Sequence, residues 1–341
     1  MDTIISRVET AMVTICSHRI LGLDFLKFMA VVMITNSHFI PVYKDVNVNL
    51  ATLGVHGNAL FFYVSGFLLV NGLRKKQERF DNWYKKRLQR LWPAVFLWAV
   101  MAAICWGDVL TWQKILLAPN YWFLQTIAIY YFLFYWVDRL CLNRGGYFLV
   151  VFVVSILFAV VCGLLMPHTS GSMFHTKWHY VCHFSVMIMG AMTNLYQLRI
   201  RCNSLMWDVV LWILSFVAYF AILAIGRNAT DWRWYTQVVA LVPIHLFCYY
   251  GYKVCTYSWC TRLMTHKRWK WLFCWIASLT LEMYVVQFHV ITDEYNDLFP
   301  LNWLIVFGRI FIVAYVLRIC VNVFIQFMGK EEWHWVKCLK L

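Results

Sequence analysis

Long apolar stretches dominate this 341-residue chain and limit what it can fold into. About ten runs are mostly apolar over about 20 residues, the length that an α-helix needs to cross a bilayer. They are 22–42, 55–73, 90–107, 121–140, 146–166, 181–197, 207–226, 235–254, 271–291 and 302–327. Only helices can occupy so many spans without leaving backbone groups unpaired in lipid. The sequence therefore predicts an all-α polytopic membrane protein, with about ten transmembrane helices in one bundle.

Composition excludes the main soluble classes. Apolar residues make up 62% of the chain and charged residues 13%, whereas soluble domains run at about 45–50% and about 25%. A soluble enzyme or a disordered chain would need far more polar surface. The twelve cysteines form no Cys-x-x-Cys pair and most lie in apolar runs, which is typical of small buried hydrophobes rather than a disulfide scaffold.

The excess of basic residues predicts the orientation. The net charge is +14, and basic residues collect in cytoplasmic loops. With the N-terminus in the cytoplasm, the inner segments hold 22 Lys and Arg and the outer loops 5. Both termini are therefore predicted to be cytoplasmic, and no nucleic-acid partner is expected. We expect a short cytoplasmic segment over 1–20, for which a helix on the membrane surface is one option, a ten-helix membrane domain over 21–328, and a cytoplasmic tail over 329–341.

Ionisable side chains inside the first and ninth spans are candidates for function, because a charge at the bilayer centre costs about 2.5–3.5 kcal/mol. Lys27 and His38 are eleven residues apart, so they share one helix face about 16 Å apart along the axis. Glu282 lies near the middle of its span and needs a partner on another helix, for which His38 is the obvious candidate. Structural alternatives stay open: Lys27 and Arg318 can extend to the inner interface, and Glu282 can make a helix-to-helix hydrogen bond.

A cluster of eight Lys and Arg residues lies between residues 73 and 90. Part of it reflects topology, but it also offers a cytoplasmic site for phosphates or anionic lipid. Arg87 and Arg90 are three apart on one helix face, which suits bidentate contacts to phosphate. Lys86 lies beside them.

Three histidines near the outer end of the sixth span are spaced four apart: His175, His179 and His183. On a helix they would share a face, as metal ligands could. No acid or cysteine at fixed spacing completes the set, so we expect no metal and favour packing at the interface.

Several of these segments, in this order, resemble the integral-membrane acyltransferases of the acyltransferase-3 family, ten-helix proteins that O-acylate glycans and similar acceptors. Lys27 and His38 are similar to the family's pattern of a basic residue, ten residues and a His, with Lys in a place usually held by Arg. The segment GNALFFYVSGFLL resembles its second-helix signature and includes Asn58 and Gly66. YKKRLQRLWP resembles its basic loop, and SLTLEMYVVQFH a late helix that includes Glu282.

The resemblance implies a donor and its binding residues. An acyl-CoA, most simply acetyl-CoA, would approach from the cytoplasm as co-substrate. Its phosphates would meet Lys27, Lys86, Arg87 and Arg90, and its pantetheine arm would run outward along the first helix. The acceptor would be a hydroxyl of a cell-surface glycan or of its polyprenyl-linked precursor, at the bacterial inner membrane.

The resemblance also implies catalytic roles. His38 would act as general base for the acceptor hydroxyl, or would carry the acyl group as a nucleophile. Glu282 would orient the imidazole, and Asn58 or Ser37 would donate a hydrogen bond to the oxyanion.

Two other functions stay open. A polytopic transporter or flippase for a glycan or lipid intermediate would show broken helices at matched positions. Five of the six prolines lie at or outside the predicted span ends, and only Pro243 is central, which favours the enzyme. A non-catalytic sensor gated by acyl-CoA would need the basic loop but not His38. The oligomeric state, including a homo-oligomer, is open.

Overall fold

The computed structural model describes residues 20–116, 121–141, 146–166, 174, 176–196, 204–228, 232–329 and 334–339. In these ranges all regular structure is helical and no strand occurs, so the predicted all-α class is confirmed. The chain divides into two compact units. The first unit comprises Met1–Gly54, Lys85–Gln125 and Thr261–Leu341, and the second unit comprises Val55–Tyr84 and Thr126–Cys260.

The α-helices are numbered in chain order. They are α1 (Leu21–His38), α2 (Gly54–Lys75), α3 (Phe80–Trp106), α4 (Trp112–Leu116), α5 (Trp122–Cys141), α6 (Gly146–Leu165), α7 (His179–Cys182), α8 (Phe184–Leu195), α9 (Leu205–Asn228), α10 (Arg233–Val239), α11 (Leu241–Thr256), α12 (Ser258–Thr265), α13 (Lys267–Ser278), α14 (Thr280–Val290), α15 (Leu301–Met328) and α16 (Trp335–Cys338). Two 3₁₀ turns, Val48–Leu50 and Asn296–Leu298, lie in the loops of the first unit.

Six helical segments in the described part of the chain are long and apolar enough to cross a membrane. They are Val48–Lys75, Phe80–Trp106, Gly146–Leu165, Leu205–Asn228, Arg233–Thr256 and Leu301–Met328. A seventh span is obtained if the bent pair Trp269–Ser278 and Thr280–Val290 is counted as one. The multi-pass membrane protein is confirmed, but the predicted ten spans are not reached by this criterion. The other three predicted spans contain helices that are shorter or more polar, namely α1, α5 and the α7–α8 pair. The cytoplasmic placement of both termini stays a prediction.

In the first unit, α13 and α14 lie along α1 in the same direction. Near the start of α1, the ring of Phe273 packs against Phe25 and Phe28, with centroids 5.1 and 5.0 Å apart. At the other end, the ring of Phe288 lies 4.7 Å from that of His38. The C-terminal ends of α1 and α14 are therefore held together, while α14 also packs against α15.

The helix pair α13–α14 bends by 73° at Leu279, although neither proline nor glycine is present there. The Ser278 hydroxyl donates to Cys274 O at 2.6 Å, and the Thr280 hydroxyl to Ala277 O at 3.5 Å. Hydroxyls that bond to carbonyls one turn earlier compete with the helical ladder and bend helices. The ninth predicted span is therefore broken by polar side chains, which a count of prolines and glycines does not detect.

Two prolines lie inside membrane-spanning segments, one of them against the prediction. Helix α3 begins at Phe80, ten residues before the predicted span, so Pro93 lies inside it. Because proline has no N–H, the carbonyl of Gln89 loses its helical partner there. Pro243 lies near the middle of the apolar segment Arg233–Thr256, as predicted, and is the third residue of α11. A proline in the first turn of a helix removes no ladder bond.

In the second unit, α2 and α8 cross with their backbones in contact. A Cβ on Gly66 would overlap the carbonyl of Met187, and one on Gly190 would overlap the carbonyl of Tyr63. Two hydrogen bonds flank the crossing: Tyr63 donates to Thr193 at 2.9 Å, and Asn194 to Phe67 O at 3.0 Å. The Ser-Gly-Phe motif of the second span is thus explained by helix packing, in which small residues let backbones approach.

A buried ion pair joins α9 to α11 in the second unit. Lys253 Nζ lies 2.7 Å from Asp208 Oδ1, and Tyr257 donates to Asp208 Oδ2 at 2.6 Å. Asp208 and Lys253 are 1% and 3% exposed. Lys253 is one of the 22 Lys and Arg residues predicted to lie in the inner segments. Its charge is compensated inside the unit by Asp208 of α9.

We predict that Gly66→Ala and Gly190→Ala each destabilise the protein by about 2 kcal/mol or more, since the added methyl meets backbone that cannot rotate away. Gly308→Ala is the matched control, because a Cβ there meets open space within an α-helix and alanine favours helix by up to about 1 kcal/mol. Thermal unfolding of the detergent-purified protein measures all three. Equal melting temperatures would contradict the close crossing.

Candidate active site

The side chain of Asn36, near the end of α1, is hydrogen-bonded to three other parts of the first unit. Its Nδ2 donates to Leu50 O at 2.8 Å and to Thr52 O at 3.1 Å. Its Oδ1 accepts from the Tyr43 hydroxyl at 2.7 Å and from Trp303 Nε1 at 3.3 Å. A carboxamide has two donor hydrogens and two acceptor lone pairs, so all of its capacity is used. Asn36 therefore holds the end of α1 in place and has nothing left for a substrate.

His38 is the last residue of α1, two positions after Asn36, and it is partly exposed. Its ring meets Phe288 edge to face, at an interplanar angle of 66°. The neighbouring Ser37 hydroxyl donates to Ile34 O at 2.7 Å. A serine carries one donor hydrogen, so in this arrangement Ser37 cannot also serve an oxyanion, as the sequence analysis expected.

Glu282 pairs with Arg318 rather than with His38. Arg318 Nη2 lies 2.9 Å from Glu282 Oε2 and donates to Ser278 O at 2.6 Å. Glu282 is in the first turn of α14, whereas His38 meets Phe288 in its last turn, about 9 Å further along the axis. The predicted Glu282–His38 pairing is therefore corrected: Arg318 does not extend to the interface but bridges the break between α13 and α14.

The predicted donor-binding cations occupy two helices of the first unit. On α1, Lys27 lies 3.2 Å from Asp24, so part of its charge is offset within its own helix. On α3, Lys86 and Arg90 are exposed and Arg87 is half-buried. Because α3 is helical from Phe80 onward, Arg87 and Arg90 do share a face as predicted. They lie in the part of α3 that precedes Pro93.

Asn58 belongs to the second unit, in the first turns of α2. Its Oδ1 is buried and has no hydrogen-bond partner among the described residues. Nearby on the same helix, His56 is surrounded by aromatic rings of α9 and α11, the nearest being Tyr219 at 4.4 Å. The role expected for Asn58 beside His38 stays a prediction.

The histidine series of the sixth span does not reach a metal-site arrangement in the part of the chain that the structure describes. His175 lies outside the described residues. His183 Nδ1 is 3.1 Å from Cys182 Sγ and 3.3 Å from His179 O. Within the described ranges, no three His, Cys, Asp or Glu side chains are grouped to hold a metal ion.

A polar cluster at the end of α14 was not predicted from the sequence. It includes His289, which follows Phe288, the residue whose ring contacts His38. Trp98 Nε1 donates to His289 Nδ1 at 3.2 Å, which leaves the imidazole proton on Nε2, 3.5 Å from Asp108 Oδ2. Lys114 approaches Asp108 at 3.1 Å, and its hydrogen bond lowers the pKa of this loop carboxyl below its usual value. The sequence indicated His289 only as the last residue of the SLTLEMYVVQFH segment. Nothing in the sequence pointed to Asp108 as its partner, because the two residues are far apart in the chain.

A double-mutant cycle tests the bridge across the break. Glu282→Ala and Arg318→Ala should each destabilise the protein by about 3–5 kcal/mol, because each leaves a charge without its partner in a low-dielectric site. The double variant should lose clearly less than the sum. The exposed pair Lys44–Asp293, 3.5 Å apart, is the matched control and should show coupling below about 1 kcal/mol. Strict additivity at Glu282 and Arg318, measured by thermal unfolding, would contradict the pairing.

Comparison with known proteins agrees with the resemblance of the motifs. Residues 20–319 match the family model Acyl_transf_3, described as an acyltransferase domain. No curated protein and no solved structure matches the chain. The matched region begins just before α1 and ends within α15, so it contains every candidate site residue. The chain therefore belongs to acyltransferase family 3 and is a multi-pass membrane acyltransferase.

Proposed function

We propose that the protein is an O-acyltransferase of the bacterial inner membrane. It moves an acyl group, most simply acetyl, from cytoplasmic acyl-CoA to a hydroxyl of a cell-surface glycan or of its polyprenyl-linked precursor. The observation that carries the proposal is the placement of His38. The imidazole is partly exposed at the end of α1. The side chains of Asn36 and Ser37 beside it make hydrogen bonds within the chain that hold that end rigid. A rigid, accessible imidazole is what general base catalysis requires.

In this proposal His38 accepts the proton of the acceptor hydroxyl. The oxygen attacks the thioester carbonyl, its C–O bond forms, and the carbonyl electrons move onto oxygen. Collapse of this intermediate breaks the C–S bond, and the CoA thiolate takes the proton from the imidazolium. The products are the ester and free CoA. Imidazole suits both transfers because it titrates near neutral pH.

The donor would lie along α1. Lys27 and His38 are about 16 Å apart along the helix axis, which is of the order of a pantetheine arm. With the phosphates at the inner end, the thioester would reach the level of His38. Lys86, Arg87 and Arg90 supply the remaining positive charge, because guanidinium groups hold phosphate in bidentate geometry.

Glu282 enters this proposal as the anchor of Arg318. The carboxylate of Glu282 holds the guanidinium of Arg318, which donates a hydrogen bond to Ser278 O at the break. In this proposal, Arg318 neither binds substrate nor transfers a proton. The direction of α14, and with it the position of Phe288 against His38, depends on that bridge. A broken helix in mid-span is also found in transporters. Here Arg318 of the chain itself occupies the break, so it does not favour the transporter alternative.

Removal of the imidazole tests the chemistry. We expect His38→Ala to reduce acetyl transfer by about 100-fold or more, because general base catalysis contributes about 10²–10⁴-fold. Membranes from expressing cells, given acetyl-CoA radiolabelled in the acetyl group, report both thiol release and label in the glycan fraction. The exposed His266 provides the control variant His266→Ala, which should keep full activity. Full transfer by His38→Ala would rule out this mechanism.

Charge removal on α3 tests the donor site separately. Arg87→Gln and Arg90→Gln should each raise the KM for acetyl-CoA by about tenfold, since a hydrogen bond to a charged group contributes about 1.5–3 kcal/mol. The kcat should change little, because these groups do not touch the reacting carbonyl. Arg262→Gln removes an exposed cation from α12 and serves as the control. An unchanged KM in both α3 variants would detach the basic cluster from donor binding.

A further inference from the structure

Gln287 is a fully buried polar side chain with unused hydrogen-bonding capacity. It lies in the last turn of α14 and is 0% exposed. Neither its Oε1 nor its Nε2 has a hydrogen-bond partner among the described residues. Leaving a buried carboxamide unpaired forfeits the full hydration of the group, and in a bilayer no bulk water is present to restore it. Such a group points to a ligand that completes it.

Its direction on α14 follows from the neighbouring contacts. At about 100° per residue, Gln287 lies about 140° round the helix from Glu282, and Phe288 about 240°. Glu282 faces Arg318 of α15, and Phe288 faces His38 of α1. Gln287 therefore lies about 100° round the helix from the side that faces His38 and about 140° from the side that faces Arg318. His289 falls at about 340°, where Trp98 meets it.

Its depth along α14 matches that of the proposed chemistry. The residue precedes Phe288, whose ring is in contact with His38, and one residue is about 1.5 Å of helix rise. At this level the side chains nearest to His38 in sequence are already committed, Asn36 to Leu50 and Thr52, and Ser37 to Ile34. The donors that a developing oxyanion needs must come from elsewhere.

We propose that the Gln287 carboxamide binds the acyl carbonyl of the donor thioester, with Nε2 donating a hydrogen bond to the carbonyl oxygen. This rests on the proposed function. When the acceptor oxygen attacks, the carbonyl electrons move onto the oxygen that Nε2 already contacts, so the bond strengthens as the charge develops. When the C–S bond breaks, that charge returns to the carbonyl, and His38 protonates the departing thiolate. Gln287 neither gives nor takes a proton.

The test compares binding of acetyl-CoA with binding of CoA, which lacks the acyl carbonyl. Both are titrated by calorimetry into the full-length protein in detergent, and thiol release from acetyl-CoA is measured in membranes. Gln287→Leu and Gln287→Met remove the amide while keeping a buried side chain of similar size. Gln237→Leu is the matched control, because Gln237 is also buried but its Nε2 already donates to Arg233 O at 3.2 Å.

In both Gln287 variants, we expect the ratio of the acetyl-CoA affinity to the CoA affinity to fall by about 5- to 10-fold. The affinity for CoA should not change. Thiol release should fall by about 100-fold or more, as for other oxyanion donors. The melting temperature should stay level or rise, because an unpaired buried amide is removed. The control should keep the wild-type ratio of the two affinities.

Three results would overturn the proposal. An unchanged acetyl-CoA to CoA ratio together with full thiol release would show that the amide does not meet the carbonyl. A lower melting temperature in both Gln287 variants would show that the amide is already satisfied within the folded chain. If the wild-type protein binds neither acetyl-CoA nor CoA, the proposed function fails first and takes this inference with it. If the wild-type protein binds both ligands and the Gln287 variants do not differ from it, the inference alone fails and the proposed function stands.

Discussion

The bridge made by Arg318 is the interaction on which the first unit depends. The segment from Trp269 to Val290 cannot run straight, because the hydroxyls of Ser278 and Thr280 bond back to their own turn. The break leaves a carbonyl without a helical partner in apolar surroundings, where no water can complete it. Arg318 caps that carbonyl and is itself neutralised by Glu282. The bent path that results keeps α13 against the first half of α1 and α14 against the second.

In the second unit, helices are joined within the membrane by a close backbone crossing and by a compensated ion pair. At the crossing of α2 and α8, glycines remove the side chains, and van der Waals contact between backbones holds the helices together. Between α9 and α11, Asp208 and Lys253 compensate each other's charge, and Tyr257 completes the carboxylate. Both arrangements join helices through contacts within the chain. They are structural, although their residues would look equally unusual in a hydropathy profile.

That distinction separates the candidate site from the scaffold. Asn36 and Ser37 lie beside His38 and have the right chemistry for catalysis, but every hydrogen they can donate is already bound. Gln287 has the same chemistry as Asn36, and its carboxamide is unspent among the described residues. We therefore propose the ends of α1 and α14 as the place for a substrate, because the imidazole of His38 is partly exposed there and the amide of Gln287 is unpaired among the described residues. Asp108 and His289, joined to Trp98 nearby, form the polar border of that region.

The sequence by itself determined the membrane class, the all-helical fold and the family, because apolar periods and ordered motifs are local properties. It also found the shared face of Arg87 and Arg90, since helix geometry alone fixes spacing along one element. Only the tertiary structure decided the partners. It paired Glu282 with Arg318 instead of His38, buried Lys253 against Asp208, spent Ser37 on Ile34 and left Gln287 unpaired. Whether a polar side chain is satisfied depends on which helices lie next to it, and that proximity is set by packing between residues distant in the chain.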